Sequence, residues 1–323
     1  MNGADMNLQV PLAWWIGTLA WFSLLLFGDL YLHRSMEGRR SLKKDVARSC
    51  VWISLGLLLG AVIWWHFGHD AGTKYYAGFL IEKALSIDNI FVWGVILNYL
   101  KIPGKYRYKV LFWGIFGAIF FRTVFVFAGI AIIENFQPAL ILLGIALFVS
   151  ALKLLRDRGG GFDPDKSKII RFIDRILPVS SSLGGGKFII REHGKKAVSL
   201  LLFAVFVIEL TDILFAIDSV PAALAVARHP YLVLSSNIAA ILGLRALYFV
   251  FDGLREKFQL LNKGLALILA YIGVTLILSP TELFGWRWFG LKVPTALNLA
   301  IIMVTLTISI AGSLLTAKSP KTD

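Results

Sequence analysis

Glu82-Lys-Ala-Leu-Ser-Ile-Asp88-Asn89 and Asp212-Ile-Leu-Phe-Ala-Ile-Asp218-Ser219 are two versions of one pattern. In each, a carboxylate is followed six residues later by a second carboxylate and then by a small hydrogen-bonding side chain. Both copies lie inside apolar runs long enough to cross a bilayer. A charge at that depth costs roughly 2.5–3.5 kcal/mol on insertion scales, so acids placed there read as functional groups. Carboxylates gathered in a membrane interior hold cations or protons. A duplicated acidic motif further points to an internal repeat with a cation site at its interface.

Helical phase, taken at about 100° per residue, refines the set. Glu82, Ser86 and Asn89 share one face; Asp212, Ala216 and Ser219 share the equivalent face, with Glu209 close to it. Asp88 and Asp218 fall about 120° away in both copies. Three arrangements remain open for these two aspartates: pairing with arginines on a neighbouring helix, a helix unwound between the two acids, or a separate polar cavity. Pro221 follows Asp218 closely and lacks a backbone donor, so a break or kink of the second acidic helix is expected there. The intramembrane acids Glu82, Asp88, Glu209, Asp212 and Asp218 outnumber the cations Lys83, Arg122 and Arg245 by two. That remainder suits one divalent cation, two protons, or an exchange of one for the other, with Lys83 able to snorkel to the outer surface.

The available ligands are all oxygen: the carboxylates, Asn89, Ser219, and the secondary polar groups Ser86, Asn237 and Thr211. Such a set suits Mg²⁺, Ca²⁺ or Mn²⁺, and this chemistry does not separate the three. The five histidines, His33, His66, His69, His193 and His229, are scattered and lie mostly near the ends of the apolar segments, as interfacial or loop histidines do. Cys50 is the single cysteine, so neither a disulfide framework nor a thiolate cluster is possible within the chain. Asp29 and Asp252 read as structural partners between helices rather than as site residues.

The elements that must position these groups are membrane helices. The chain of 323 residues is 57% hydrophobic, with 24 Phe and 10 Trp, and its mean hydropathy is +0.73. Nine apolar segments follow one another, at about 11–33, 50–67, 75–100, 108–133, 136–156, 198–226, 231–252, 259–279 and 293–316. Each approaches the ~20 residues that cross ~30 Å of hydrocarbon. No basic residue precedes the first, so it reads as a retained helix rather than a secretory signal. Alternate connections carry 26 basic residues on one side and 4 on the other. The excess places the N-terminus outside and the C-terminus inside. It also accounts for a net charge of +13 without nucleic acid.

Superimposing the acidic motifs aligns more than the acids. Ala118-Ile-Phe-Phe-Arg122 on the span after the first motif matches Ala240-Ile-Leu-Gly-Leu-Arg245 after the second, and each copy ends in a Gly-, Ala- and Leu-rich span. The unit is an acidic helix, an arginine helix and a packing helix. Three spans per unit place the copies in opposite orientations, the inverted repeat of many carriers. The expected fold is therefore an all-α membrane protein of about nine transmembrane helices, N-out and C-in. Residues 1–74 form two N-terminal spans, 75–156 the first repeat, 157–197 a basic cytoplasmic loop, 198–279 the second repeat, and 280–323 a last span and tail. Within the loop, Ile169, Phe172, Ile173, Ile176 and Leu177 are expected on one face of an amphipathic helix resting on the membrane surface. Phe188 to Gly194 is expected to form a short hairpin after a flexible Ser180–Gly186 stretch.

With Glu82-Lys-Ala-Leu-Ser-Ile-Asp88-Asn89-Ile-Phe-Val92, Glu209-Leu-Thr-Asp212-Ile-Leu-Phe-Ala-Ile-Asp218-Ser219-Val-Pro221 and the run from Asn237 to Phe249, the chain resembles the TerC family of integral membrane proteins. Length, span order and inner loop resemble its Alx-like branch, so the likeness covers nearly the whole chain. Thr211 and Ala84 stand where the family often has Ser. The resemblance implies a multi-pass protein of the cytoplasmic (inner) membrane that exports Mn²⁺, with Glu82, Asp88, Glu209, Asp212 and Asp218 as the carried-over acids. The resembled family is part of a wider superfamily of cation and amino-acid exporters, and tellurite in older family names is not taken as a substrate.

The expected function is a secondary carrier, not an enzyme and without a resident cofactor, in which Mn²⁺ binds between the acidic helices and protons from outside replace it. Membrane lipid and the divalent ion are its expected partners. A Ca²⁺ exporter is the variant reading. An accessory protein passing metal to a secretion partner or to exported metalloenzymes is the alternative. An intramembrane hydrolase is disfavoured by the lack of a nucleophile motif.

Overall fold

The computed structural model describes residues 8–34, 42–136, 138–156, 167–176, 179–180, 182–192, 195–252, 260–279, 282–283, 286–287 and 293–316. Helices dominate, in the order α1 (Leu12–Arg34), α2 (Leu42–Tyr99), α3 (Gly104–Asn135), α4 (Ala139–Arg156), α5 (Lys168–Ile176), α6 (Leu200–Val226), α7 (Pro230–Leu242), α8 (Leu244–Asp252), α9 (Leu261–Ile277) and α10 (Thr295–Thr316). A 3₁₀ turn (Gly184–Gly186) and two short antiparallel hairpins complete the described elements, the hairpins being β1 (Ile189–Glu192) with β2 (Lys195–Val198), and β3 (Glu282–Leu283) with β4 (Trp286–Arg287). Among the described residues, six helical stretches are long and apolar enough to cross a membrane: Lys43–Tyr99, Gly104–Asn135, Ala139–Arg156, Leu200–Val226, Pro230–Val250 and Thr295–Ser313. Leu12–Gly28 and Lys263–Ile277 are shorter apolar helices. Large apolar side chains cover the outside, among them Trp65, Phe120, Leu142 and Leu315, as a lipid-facing surface requires.

α2 is not one rod. At Gly68 the backbone takes φ 89° and ψ 174°, a conformation that glycine alone enters readily. The two arms fold back on each other: the Tyr75 hydroxyl donates to the Gly56 carbonyl at 2.9 Å, and that of Tyr76 to Leu57 at 2.8 Å. Gly56, Gly60 and Gly72 lie on the contact, where a Cβ would strike Phe79, Tyr76 and Trp64 respectively. Such small residues let membrane helices approach closely.

The second arm of α2 packs on α7, α8 and α6, and α3 packs on α6. Residue registers give the directions. Along α3 and α6, Gly114 faces Ile208, Arg122 faces Asp212 and Gly129 faces Leu224, so these helices run parallel. Along α2 and α7–α8, Gly78 faces Ser236, Lys83 reaches Ala240 and Gly94 faces Tyr248, again in parallel. α4 and α9 form another extensive pairing and cross antiparallel, with Gly144 against Gly273 and Ile277, and Gly273 against Phe148. The acid-bearing second arm of α2 thus lies on α7–α8, which carries Arg245, and acid-bearing α6 lies on α3, which carries Arg122.

Three expectations change. α6 runs unbroken from Leu200 to Val226 with Pro221 inside it. Proline's φ suits a helix, and the lost donor is outweighed by close packing, since Ser219 to Leu224 are all buried. Breaks fall instead at Gly68 and at Gly243, where α7 gives way to α8. On α5, Ile170 and Ile173 are the buried positions, whereas Phe172 is exposed. That helix packs part of its apolar surface on α6 instead of laying all of it on lipid. Ile169, Ile176 and Leu177 lie outside the described side chains. The expected hairpin is present as β1–β2, displaced toward Val198 because the Ser199 hydroxyl caps α6 by accepting from the Leu202 amide.

The hairpin is fastened to the start of α3. Lys109 Nζ donates to the Gly186 carbonyl at 2.7 Å and lies 4.6 Å over the Phe188 ring. Lys109→Ala is expected to raise amide hydrogen exchange across 189–192 and 195–198 while leaving α3 and α6 protected. Unchanged exchange in the hairpin would show that the lysine does not hold it.

Candidate functional site

The buried polar groups converge where α2, α3 and α6 meet. Glu82 is fully buried on the second arm of α2, and Ser86, one turn along, donates to its Oε1 at 2.9 Å. Arg122 of α3 pairs through Nη1 with that same Glu82 oxygen. Its Nη2 lies 3.6 Å from Asp212 Oδ2 on α6. Asn89 closes the chain by donating from Nδ2 to Asp212 Oδ1 at 2.9 Å. The order Ser86–Glu82–Arg122–Asp212–Asn89 therefore starts and ends on α2, and joins both acidic helices through one guanidinium. The shared face of Glu82, Ser86 and Asn89 comes directly from the helical period.

Glu209 lies one turn before Asp212 on α6, against Gly117 of α3. Any Cβ at Gly117 would overlap the Glu209 carboxylate, so glycine there makes room for the acid. Both Glu209 oxygens are buried without a hydrogen-bond partner among the described residues, and the same holds for Glu82 Oε2. These three oxygens are free acceptors beside a held ion pair.

The remaining candidates separate from this centre. Asp218 accepts from Ser150 Oγ of α4 at 2.7 Å, a partner on a neighbouring helix that is not an arginine. The side chains of Asp88, Asp29 and Asp252 lie outside the described ones. Ser219 Oγ and both side-chain atoms of Asn237 are buried with no hydrogen-bond partner among the described residues. Thr211 turns its hydroxyl back to the Ile208 carbonyl at 2.7 Å. Lys83 does not snorkel outward: its Nζ donates to the Ala240 carbonyl at 2.6 Å, next to the break at Gly243. Arg245 stacks 4.0 Å over the Tyr108 ring of α3. Among the described residues, no three His, Cys, Asp or Glu side chains are grouped as a ready-made metal cage. Sequence reasoning missed Gly117 and Ser150, since neither a helix glycine nor a helix serine announces which carboxylate it faces.

These features sit in a recognised family. The model of the integral membrane protein TerC family matches residues 67–321. The chain belongs to that family and is an integral, multi-pass membrane protein. An uncharacterised membrane protein of Myxococcus xanthus is 36% identical over 96% of this chain and 94% of its own length. A Salmonella typhi protein whose given name proposes a membrane-bound redox modulator, Alx, is 32% identical over 91% of this chain and 94% of its own. The Escherichia coli K12 protein of the same name is 34% identical over 82% and 85%. No solved structure matches the chain.

Proposed function

We propose that the chain is a secondary carrier that exports a divalent cation, Mn²⁺ as substrate, from the cytoplasm across the inner membrane, with proton antiport as the coupling. The observation that carries the reading is the buried chain Glu82–Arg122–Asp212–Asn89, which brings the acids of both motifs to one place. Buried carboxylates are costly in a bilayer and mark ion pathways. Their oxygens suit hard divalent ions, and Ser86 and Asn89 orient them from behind. The parallel registers of α3 with α6 and of α2 with α7–α8 support an inverted repeat. Neighbouring spans within one unit run antiparallel, so a parallel contact between the acidic helix of one unit and the arginine helix of the other is the contact expected of oppositely oriented units. Nine spans with the N-terminus outside and the C-terminus inside accord with that arrangement. The name of the Alx relatives concerns redox modulation; Cys50, exposed and single, supplies no dithiol couple to this chain.

Mn²⁺ flux into proteoliposomes of purified protein tests the proposal, with Glu82→Gln alongside and Ca²⁺ and Mg²⁺ as competitors. The expected result is flux that Ca²⁺ does not block and that the variant loses by about tenfold or more, the factor given by ~1.4 kcal/mol of lost ligand interaction. Flux blocked by Ca²⁺ would move the substrate to Ca²⁺. No flux from folded protein under a pH gradient or a voltage would favour the accessory role of delivering metal to a secretion partner or to exported metalloenzymes.

A further inference from the structure

We propose that Arg122 is a tethered stand-in for the transported cation, holding Glu82 and Asp212 when the carrier is empty and leaving them when a divalent ion arrives; this rests on the carrier reading above.

The geometry makes guanidinium and ion competitors. Glu82 Oε1 accepts from Ser86, and its remaining approach is taken by Arg122. Asp212 Oδ1 accepts from Asn89, and Oδ2 faces Arg122 at 3.6 Å. A divalent ion that bridges Glu82 and Asp212 must come within roughly 2.0–2.6 Å of an oxygen of each, and the guanidinium lies between them.

Arg122 is also a poor permanent strut. It is 2% exposed, yet its Nε has no hydrogen-bond partner among the described residues. A buried guanidinium placed for structure alone would be expected to satisfy more of its five donors. Its hold on two carboxylates from different helices is therefore one that an ion making the same bridge can replace.

Such a residue gives the carrier two properties. The empty form never buries two bare carboxylates, so it returns across the membrane without a heavy penalty. The bound ion is also continually opposed by a competitor held at the site, which lowers affinity and favours release. A competitor that fills the site in 90–99% of empty molecules weakens apparent binding about 10–100-fold.

The test uses full-length protein, with Mn²⁺ as the probe. Binding is read by calorimetry in detergent, and transport in proteoliposomes is read both as net efflux and as Mn²⁺/Mn²⁺ exchange. Arg122→Gln is expected to bind Mn²⁺ about 10–100-fold more tightly, to keep exchange and to lose net efflux. Arg122→Lys keeps the charge but cannot span both carboxylates. It is expected to tighten binding severalfold, and it serves if Arg122→Gln does not fold. Unchanged or weaker binding in the folded variants overturns the proposal, and so does loss of exchange in step with net efflux, which a merely structural role would produce. Wild-type protein that neither binds nor moves Mn²⁺ sinks the carrier reading itself. Wild type that does both, beside unshifted variants, sinks only the stand-in.

Discussion

Arg122→Met is expected to destabilise the protein by about 3–5 kcal/mol, the scale for removing one partner of a buried ion pair. The substitution keeps the volume roughly constant and leaves Glu82 and Asp212, both almost wholly buried, with no guanidinium between them. Glu82→Gln is expected to cost clearly less, because Arg122 keeps Asp212 and the glutamine still accepts from Ser86. The double variant should then be more stable than the sum of the singles implies, since neutralising Glu82 removes much of the repulsion created by the loss of Arg122. Thermal unfolding in detergent, followed for all four corners of the cycle, measures this. A double variant whose cost equals the sum of the singles would show that Glu82 and Arg122 do not interact. The cycle also separates two roles that flux alone confuses, because the double variant is expected to remain folded and yet transport nothing.

The helical period carried a large share of the site. Glu82, Ser86 and Asn89 recur at spacings that leave them on one face whatever the tertiary context, and the structure joins that face to Asp212. Pairing across helices was not legible in the same way. Arg122 and Arg245 occupy matched places in the sequence pattern, yet one holds carboxylates from both acidic helices while the other lies over Tyr108. Nothing in spacing tells an arginine which neighbour it meets. Pro221 misled because a proline removes one hydrogen bond but does not by itself end a helix, and the packing around it decides. Gly68 shows the converse. The apolar pattern leaves a gap between 67 and 75, where the chain reverses, but only the positive φ explains how a continuous helical run folds back within one residue. The register of α4 on α9 was legible only as two Gly-rich spans, since small residues mark a close contact without naming the partner.

That contact is the place where the smallest substitution has the largest packing effect. A Cβ at Gly144 would lie 2.7 Å from the Gly273 carbonyl oxygen and 2.9 Å from the Ile277 amide nitrogen. One at Gly273 would lie 2.8 Å from the Gly144 carbonyl oxygen and 2.9 Å from the Phe148 amide nitrogen. The obstacles are backbone on both sides, so no side-chain rotamer relieves them and the two helices must move apart. Gly144→Ala is expected to cost about 2–3 kcal/mol, toward the upper end for overpacking, despite alanine's better helix propensity. Gly144→Ala with Gly273→Ala should cost less than the sum, because one separation of the helices serves both methyl groups. Gly17→Ala on α1 is the control. Nothing lies within 4 Å of its Cβ position, so the change is expected to be neutral or to stabilise by about 0.5–1 kcal/mol. Unfolding of the three single variants in one detergent ranks them. Gly144→Ala as stable as Gly17→Ala would mean that α4 and α9 do not touch backbone to backbone. If the ranking holds while the Gly144 variant keeps, per folded molecule, whatever wild-type Mn²⁺ flux the proposed carrier function gives, the α4–α9 crossing is a structural clasp outside any moving joint. A lost rate in folded protein would instead make it part of the moving joint.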